Sequence, residues 1–140
     1  MKVKIKKLYK DAKIPTYAHP GDAGMDFYTR ERVVIEPGQA GTLPTGIAME
    51  IPEGYVGLVW EKSGLAFKHG IQMLGGVIDA GFRGEVTMRA YNSSDKTYTF
   101  EIGDKTSQML IQKVDQVEFE EVEELSDTSR GLGREGSTGA

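Results

Sequence analysis

Gly46-Ile47-Ala48-Met49-Glu50-Ile51-Pro52-Glu53-Gly54-Tyr55-Val56-Gly57-Leu58-Val59-Trp60 reads as an apolar run, a turn signal and a second apolar run. Pro52 and Gly54 end the first run, because proline lacks a ladder N–H and glycine accepts turn dihedrals. Tyr55 to Trp60 is short, apolar and β-branched enough for a buried strand. The same grammar extends in both directions. Val3 and Ile5 alternate with lysines, and Val33-Val34-Ile35 stops at Glu36-Pro37-Gly38. Glu85 to Tyr91 and Tyr98 to Ile102 alternate, with Asn92-Ser93-Ser94-Asp95 as a loop between them, and Gln108 to Val114 reads as another strand. Many short strands at this spacing predict an all-β sandwich or jelly roll. A short helix is expected in one place, Ser63 to His69, with Ser63 capping its first turn. Residues 117–125 fit a strand through Val117 and Phe119, or a helix through Phe119 and Val122.

At 140 residues the chain is expected to form one domain around one core. No apolar run approaches the ~20 residues of a membrane helix. The lysines of Met1 to Lys7 do not lead into the apolar stretch of a signal peptide. The absence of cysteine removes disulfides, thiolate nucleophiles and Cys-based zinc sites. A cytoplasmic protein without membrane contact is expected, so the sequon Asn92-Ser93-Ser94 carries no meaning. A net charge of −4 argues against a nucleic-acid partner, which would call for a basic face.

That charge is polarised. Residues 2–13 carry six lysines against Asp11, whereas residues 115–127 carry seven carboxylates and no base. Either these are two solvated edges, or the two ends lie close together, within one subunit or between two. Beyond Leu125 the chain changes character. Ser126 to Ala140 has four glycines and Leu132 as its one sizeable apolar residue, too little to order itself alone. It is either a frayed end or an arm whose Gly136-Ser137-Thr138-Gly139 backbone and hydroxyls wrap a phosphate.

Three clusters carry candidate chemistry, although no P-loop or dinucleotide fingerprint occurs. The densest is Gly75-Gly76-Val77-Ile78-Asp79-Ala80-Gly81-Phe82-Arg83-Gly84-Glu85. Asp79 ends an apolar strand there, with glycines on both sides that permit a tight turn or a close ligand. It is either a turn aspartate bonded to its own backbone or a positioned base. Ser63-Gly64, flanked by Lys62 and Lys68, reads as a capped turn or an anion site. Gly21-Asp22-Ala23-Gly24-Met25-Asp26 reads by default as a turn. His19 and His69 are isolated from each other and read as structural.

In order, Ala23 to Phe27, Lys62 to Ala66, Gly76 to Gly84, Gly103 to Met109 and Arg130 to Gly139 resemble the five motifs of the trimeric dUTPase family. The likeness covers residues 3–139, including scaffold segments Pro44 to Ile47 and Ile51 to Tyr55. It implies a jelly-roll-like homotrimer with active sites at subunit boundaries. Residues 1–125 would form the β domain, and 126–140 a mobile arm closing over the nucleotide. The implied activity is hydrolysis of dUTP to dUMP and pyrophosphate with magnesium, which limits uracil in DNA and supplies dUMP. By the same likeness Asp79 activates water and Asp26 supports Mg2+ through its bound waters. Lys62, Ser63, Gly64, Gln108, Arg130, Ser137 and Thr138 would hold phosphates. Gly76, Ile78, Phe82, Gly84 and Met88 would contact the nucleoside, with Phe82 under the deoxyribose.

Three positions depart from the family pattern. Lys62 stands where arginine is usual, which turns a bidentate fork into a point charge. Phe82 replaces a tyrosine. Arg134-Glu135 replaces a glycine-aromatic pair whose ring covers uracil, and Arg134 is expected to supply cover or an extra phosphate contact. Two other readings compete with this one. A dCTP deaminase shares the fold but needs a glutamate where Arg89 stands. A trimeric nucleotide-binding or regulatory protein would keep the pocket with little turnover.

Overall fold

The computed structural model describes residues 1–134 together with Thr138 and Gly139. Short antiparallel strands dominate it. They are β1 (Lys4–Lys7), β2 (Met25–Tyr28), β3 (Val33–Ile35), β4 (Ala40–Leu43), β5 (Ile47–Glu50) and β6 (Tyr55–Trp60). After helix α1 (Ser63–His69) come β7 (Ile71–Leu74), β8 (Val77–Ile78), β9 (Met88–Asn92), β10 (Tyr98–Phe100) and β11 (Lys105–Lys113).

Four strands form a sheet in the order β2-β11-β6-β8, and three form another in the order β4-β9-β7. Two ribbons, β1-β5 and β10-β3, complete the framework. Apolar residues from all four groups meet in one core: Phe27 and Met109, Leu43 and Met88, Ile47, and Ile35 with Phe100. Each is essentially excluded from water, and burial of a side chain of this size contributes about 1.5–3 kcal/mol. This is the all-β, jelly-roll-like architecture the alternating runs predict.

Boundaries moved where long-range pairing overrides local pattern. The strand expected from Glu85 begins at Met88, since the Glu85 carboxylate instead accepts the Gly46 N–H at 2.7 Å. The strand expected from Gln108 begins at Lys105. Asn92, expected in a loop, is the buried last residue of β9, and its amide donates to the carbonyls of Ile35 and Lys96. Helix α1 has the expected limits, but Ser63 is its first residue and Lys62 occupies the cap position without a side-chain cap bond. Residues 117–125 form neither strand nor helix and lie exposed. Among the described residues no ion pair joins the lysine-rich start to the acidic segment. Lys4 pairs with Glu50, and Asp11 with Arg30.

Candidate functional site

β11 lies between β2 and β6, and this placement assembles three of the motif segments. Gln108 stands opposite Asp26 on one side and Trp60 on the other. Its Nε2 donates to the Glu61 carbonyl at 3.0 Å. Gly24 makes room for it: a β-carbon there would lie 2.5 Å from Gln108 Oε1 and 2.9 Å from its Cβ. Above Gln108 opens a cavity of about 370 Å³ lined by Lys62, Ser63, Gly64, Lys68 and Lys105, with His69 at its edge.

Asp26 underlies this cradle. Its side chain is 3% exposed and forms ion pairs with Lys62 through Oδ1 and with Lys105 through Oδ2, the latter at 2.7 Å. Burial pushes the Asp26 carboxyl up, but the ammonium groups of Lys105 and Lys62 outweigh it and hold the carboxyl below the ordinary aspartate range. The same pairing raises Lys105. Both groups are therefore charged across the neutral range. With three lysines and one carboxylate, the cradle keeps a net positive charge suited to a polyanion.

Asp79 occupies a different place. β8 pairs with β6 through Ile78 opposite Gly57 and Val77 opposite Leu58, and Asp79 follows directly. The antiparallel register sets Asp79 beside the start of β6, whereas Lys62 follows the end of that strand. Along the strand axis the offset is on the order of 20 Å. Asp79 is exposed and lines a second cavity of about 940 Å³ with Pro52, Tyr55, Val77, Gly81 and Arg83. Its carbonyl accepts the Phe82 N–H at 3.1 Å, closing the turn, and the Arg83 guanidinium donates to the carbonyls of Ala80 and Phe82. The Phe82 ring lies over Gly84 and is 43% exposed.

The chain thus brings together Asp26, Lys62, Ser63, Gly64 and Gln108, and separately Asp79 with the Gly76 to Gly84 loop. Ile78 turns its side chain onto the core. The Met88 side chain, 1% exposed and opposite Leu43, points into the core, which leaves its backbone as the part that could face a nucleoside. Arg130 donates to the Gly133 carbonyl within its own turn, and Arg130, Arg134 and Thr138 line neither cavity. Ser137, with Glu135 and Gly136, lies outside the described residues. Arg89, at the deaminase glutamate position, is exposed and donates to Thr42 Oγ1 at 2.6 Å, on a different sheet from β8.

Lys105 is the residue that sequence reasoning missed. On a regular strand, residues three apart face opposite sides. Lys105 and Gln108 nevertheless line one cavity, because the β2-β11 register shifts between Lys105 and Ser107. The extra residue re-aims the strand. Its trace in the sequence is faint: the small polar pair Thr106-Ser107, which is buried at both positions.

The cradle, the exposed aspartate after β8 and their surrounding motifs coincide with a known family: the dUTPase family model matches residues 10–139. The chain belongs to the dUTPase family. It is 44% identical to the deoxyuridine 5'-triphosphate nucleotidohydrolase of Thermobifida fusca, covering 99% of this chain and 79% of that one. With the enzyme of the same name from Clostridium tetani identity is 45%, covering 98% and 96%. Among solved dUTPase structures, that of Staphylococcus bacteriophage 80alpha with dUPNHPP superposes with a TM-score of 0.92 at 30% identity, covering 99% of each chain. A mutant dUTPase of phage phi11 of S. aureus, solved to show coordination of a structural Mg(II) ion, gives 0.84 at 29% identity, covering 91% and 100%. No helix among the described residues is long and apolar enough to cross a membrane.

Proposed function

We propose that this chain hydrolyses dUTP to dUMP and pyrophosphate, with magnesium, in active sites shared between subunits of a homotrimer. The observation that carries this reading is the separation of two complementary half-sites in a member of the dUTPase family. A polyphosphate cradle stands at one end of β6, and an exposed aspartate beside a groove of about 940 Å³ stands at the other. Facing copies in a closed ring would bring the cradle of one subunit to the Asp79 loop of the next.

In that composite site Lys62, Ser63, Gly64 and Gln108 hold the phosphates by charge-assisted hydrogen bonds. Phe82 packs under the deoxyribose, and the backbone from Gly76 to Gly84 reads the base at close range. Asp79 accepts a proton from a water whose oxygen attacks the α-phosphorus. The bond from that phosphorus to the bridging oxygen breaks, and pyrophosphate leaves with the electron pair. A positioned base of this kind contributes about 10²–10⁴-fold.

Magnesium fits the donor set as a ligand chiefly of the triphosphate. Among the described residues no group of three His, Asp or Glu forms a cage, and Asp26, paired on both oxygens with Lys62 and Lys105, would reach a magnesium-bound water only by releasing one of those lysines. When bound, the ion disperses charge on the phosphoryl oxygens. The segment from Ser126 serves as the arm that brings Arg130, Ser137 and Thr138 over the phosphates. Its described part is exposed and makes no regular structure of its own. A cytoplasmic location accords with the absence of cysteine.

The test is pyrophosphate release from dUTP, dTTP, dCTP and UTP with magnesium, in wild type and Asp79→Asn. Turnover of dUTP abolished by Asp79→Asn supports the reading. Binding of dUTP without pyrophosphate release would replace it with the regulatory-protein reading.

A further inference from the structure

We infer that Lys105 is a second phosphate-binding lysine of the cradle, forming with Lys62 a two-lysine clamp that the buried Asp26 carboxylate holds open. The inference rests on the cradle being the polyphosphate subsite, and it assigns the groups that grip the outer phosphates there.

Three observations carry it. First, the irregularity in β11 between Lys105 and Ser107 turns Lys105 onto the face occupied by Gln108, where regular alternation would have turned it away. Second, the two ammonium groups sit on different oxygens of one carboxylate that is itself out of water. Asp26 balances one positive charge, so one remains uncompensated on the cavity floor, with Lys68 adding another at the rim. Third, the lysine stems stay partly open: Lys62 is 28% and Lys105 43% exposed, so both ammonium groups can reach an anion in the cavity.

The arrangement also answers a chemical deficit. A single lysine offers one point charge, whereas two donors at a fixed spacing approximate the planar fork of a guanidinium. Lys62 and Lys105, spaced by the two oxygens of Asp26, provide such a pair from two different strands' ends. A single phosphate needs one of them; a chain of phosphates engages both.

The bland alternative is that Lys105 serves only as a counterion for Asp26. Titration calorimetry with magnesium separates the two, using pyrophosphate, dUMP and a non-hydrolysable imido analogue of dUTP against wild type, Lys105→Gln and Lys105→Arg. The clamp predicts that Lys105→Gln weakens pyrophosphate and the analogue about tenfold or more, as for loss of one charged hydrogen bond. It predicts dUMP affinity within about twofold of wild type, with Lys105→Arg restoring pyrophosphate binding close to wild type. A Lys105→Gln protein that is less heat-stable yet binds pyrophosphate as wild type does would overturn it. Equal weakening of dUMP and pyrophosphate would overturn it as well. Because the readout is binding, a wild type that holds pyrophosphate through Lys105 but releases none from dUTP would defeat the hydrolase reading and leave the clamp standing.

Discussion

The carbonyl oxygen of Val59 fills the space where a side chain at Gly76 would begin: a β-carbon there would lie 2.5 Å from it. The Val59 N–H meanwhile donates to the Gly76 carbonyl at 2.7 Å. Glycine is what lets the loop bearing Asp79 press against β6. Gly76→Ala must therefore push β8 outward, because the obstacle is backbone and cannot rotate away. The expected cost is about 2–4 kcal/mol, with kcat falling more than tenfold as Asp79 loses its position. Thermal melts and steady-state kinetics check both; a variant with unchanged kcat would separate Asp79's placement from this contact.

Gly24 plays the corresponding part under Gln108, but there the obstacle is a side chain. Gly24→Ala should displace the carboxamide and break its bond to the Glu61 carbonyl, at about 1 kcal/mol or less in stability. The larger effect should appear in KM for dUTP, raised roughly tenfold. Equal losses from Gly24→Ala and Gln108→Ala, with no further loss in the double variant, would establish that one acts through the other.

Asp26 links stability to pH with a definite sign. Its folded-state carboxyl lies below the ordinary value of 3.8, so its stabilisation is complete above that value and is lost as pH falls through the lower one. Lys105 is raised above 10.5, so its share is complete below that value and fades as pH climbs past it. Asp26→Asn should destabilise the protein by about 1–3 kcal/mol at pH 7. The difference in Tm from wild type should shrink below about pH 4. A gap of constant size down to pH 2 would mean that Asp26 acts through shape rather than charge.

Deleting residues 126–140 should leave the fold intact, since the described part of that segment is exposed and packs on nothing in the core. The expected outcome is a Tm within a few degrees of wild type. Loss in kcat/KM for dUTP should be about a hundredfold, as several phosphate contacts disappear together. Arg134→Ala, changing one guanidinium, should reproduce a small part of that loss. Unchanged kinetic constants for Arg134→Ala would remove that residue from the site.

Much of this was legible in the sequence because local chemistry dictated it. Pro52 and Gly54 had to end one strand before Tyr55 began the next, and α1 kept the limits read from Ser63 to His69. Asp79 stood out because a carboxylate closed an apolar run. What stayed hidden depends on pairing between distant segments. The inward aim of the Met88 side chain is one example: β9 alternates Met88, Ala90 and Asn92 inward, and register with Leu43 decides that. The burial of Asp26 between two lysines requires β2 and β6 to flank β11, and the aim of Lys105 requires a bulge. Residues 117–125, ambiguous between strand and helix, form neither in an isolated chain. Phe119 is 94% and Leu125 87% exposed, apolar surface that the proposed homotrimer would cover.

Sharing of the site between subunits is the claim most directly exposed to experiment. Asp79→Asn and a cradle variant, Lys62→Ala with Gln108→Ala, each first checked to be inactive alone, are dissociated, mixed in equal amounts and reassociated, with mixed oligomers verified by native mass spectrometry. If each site takes its cradle from one subunit and its Asp79 from another, random mixing restores about a quarter of the sites. Pyrophosphate release from dUTP should recover in proportion. Mixed oligomers that form and remain as inactive as either parent would contradict the account, because every site would then carry its own defect.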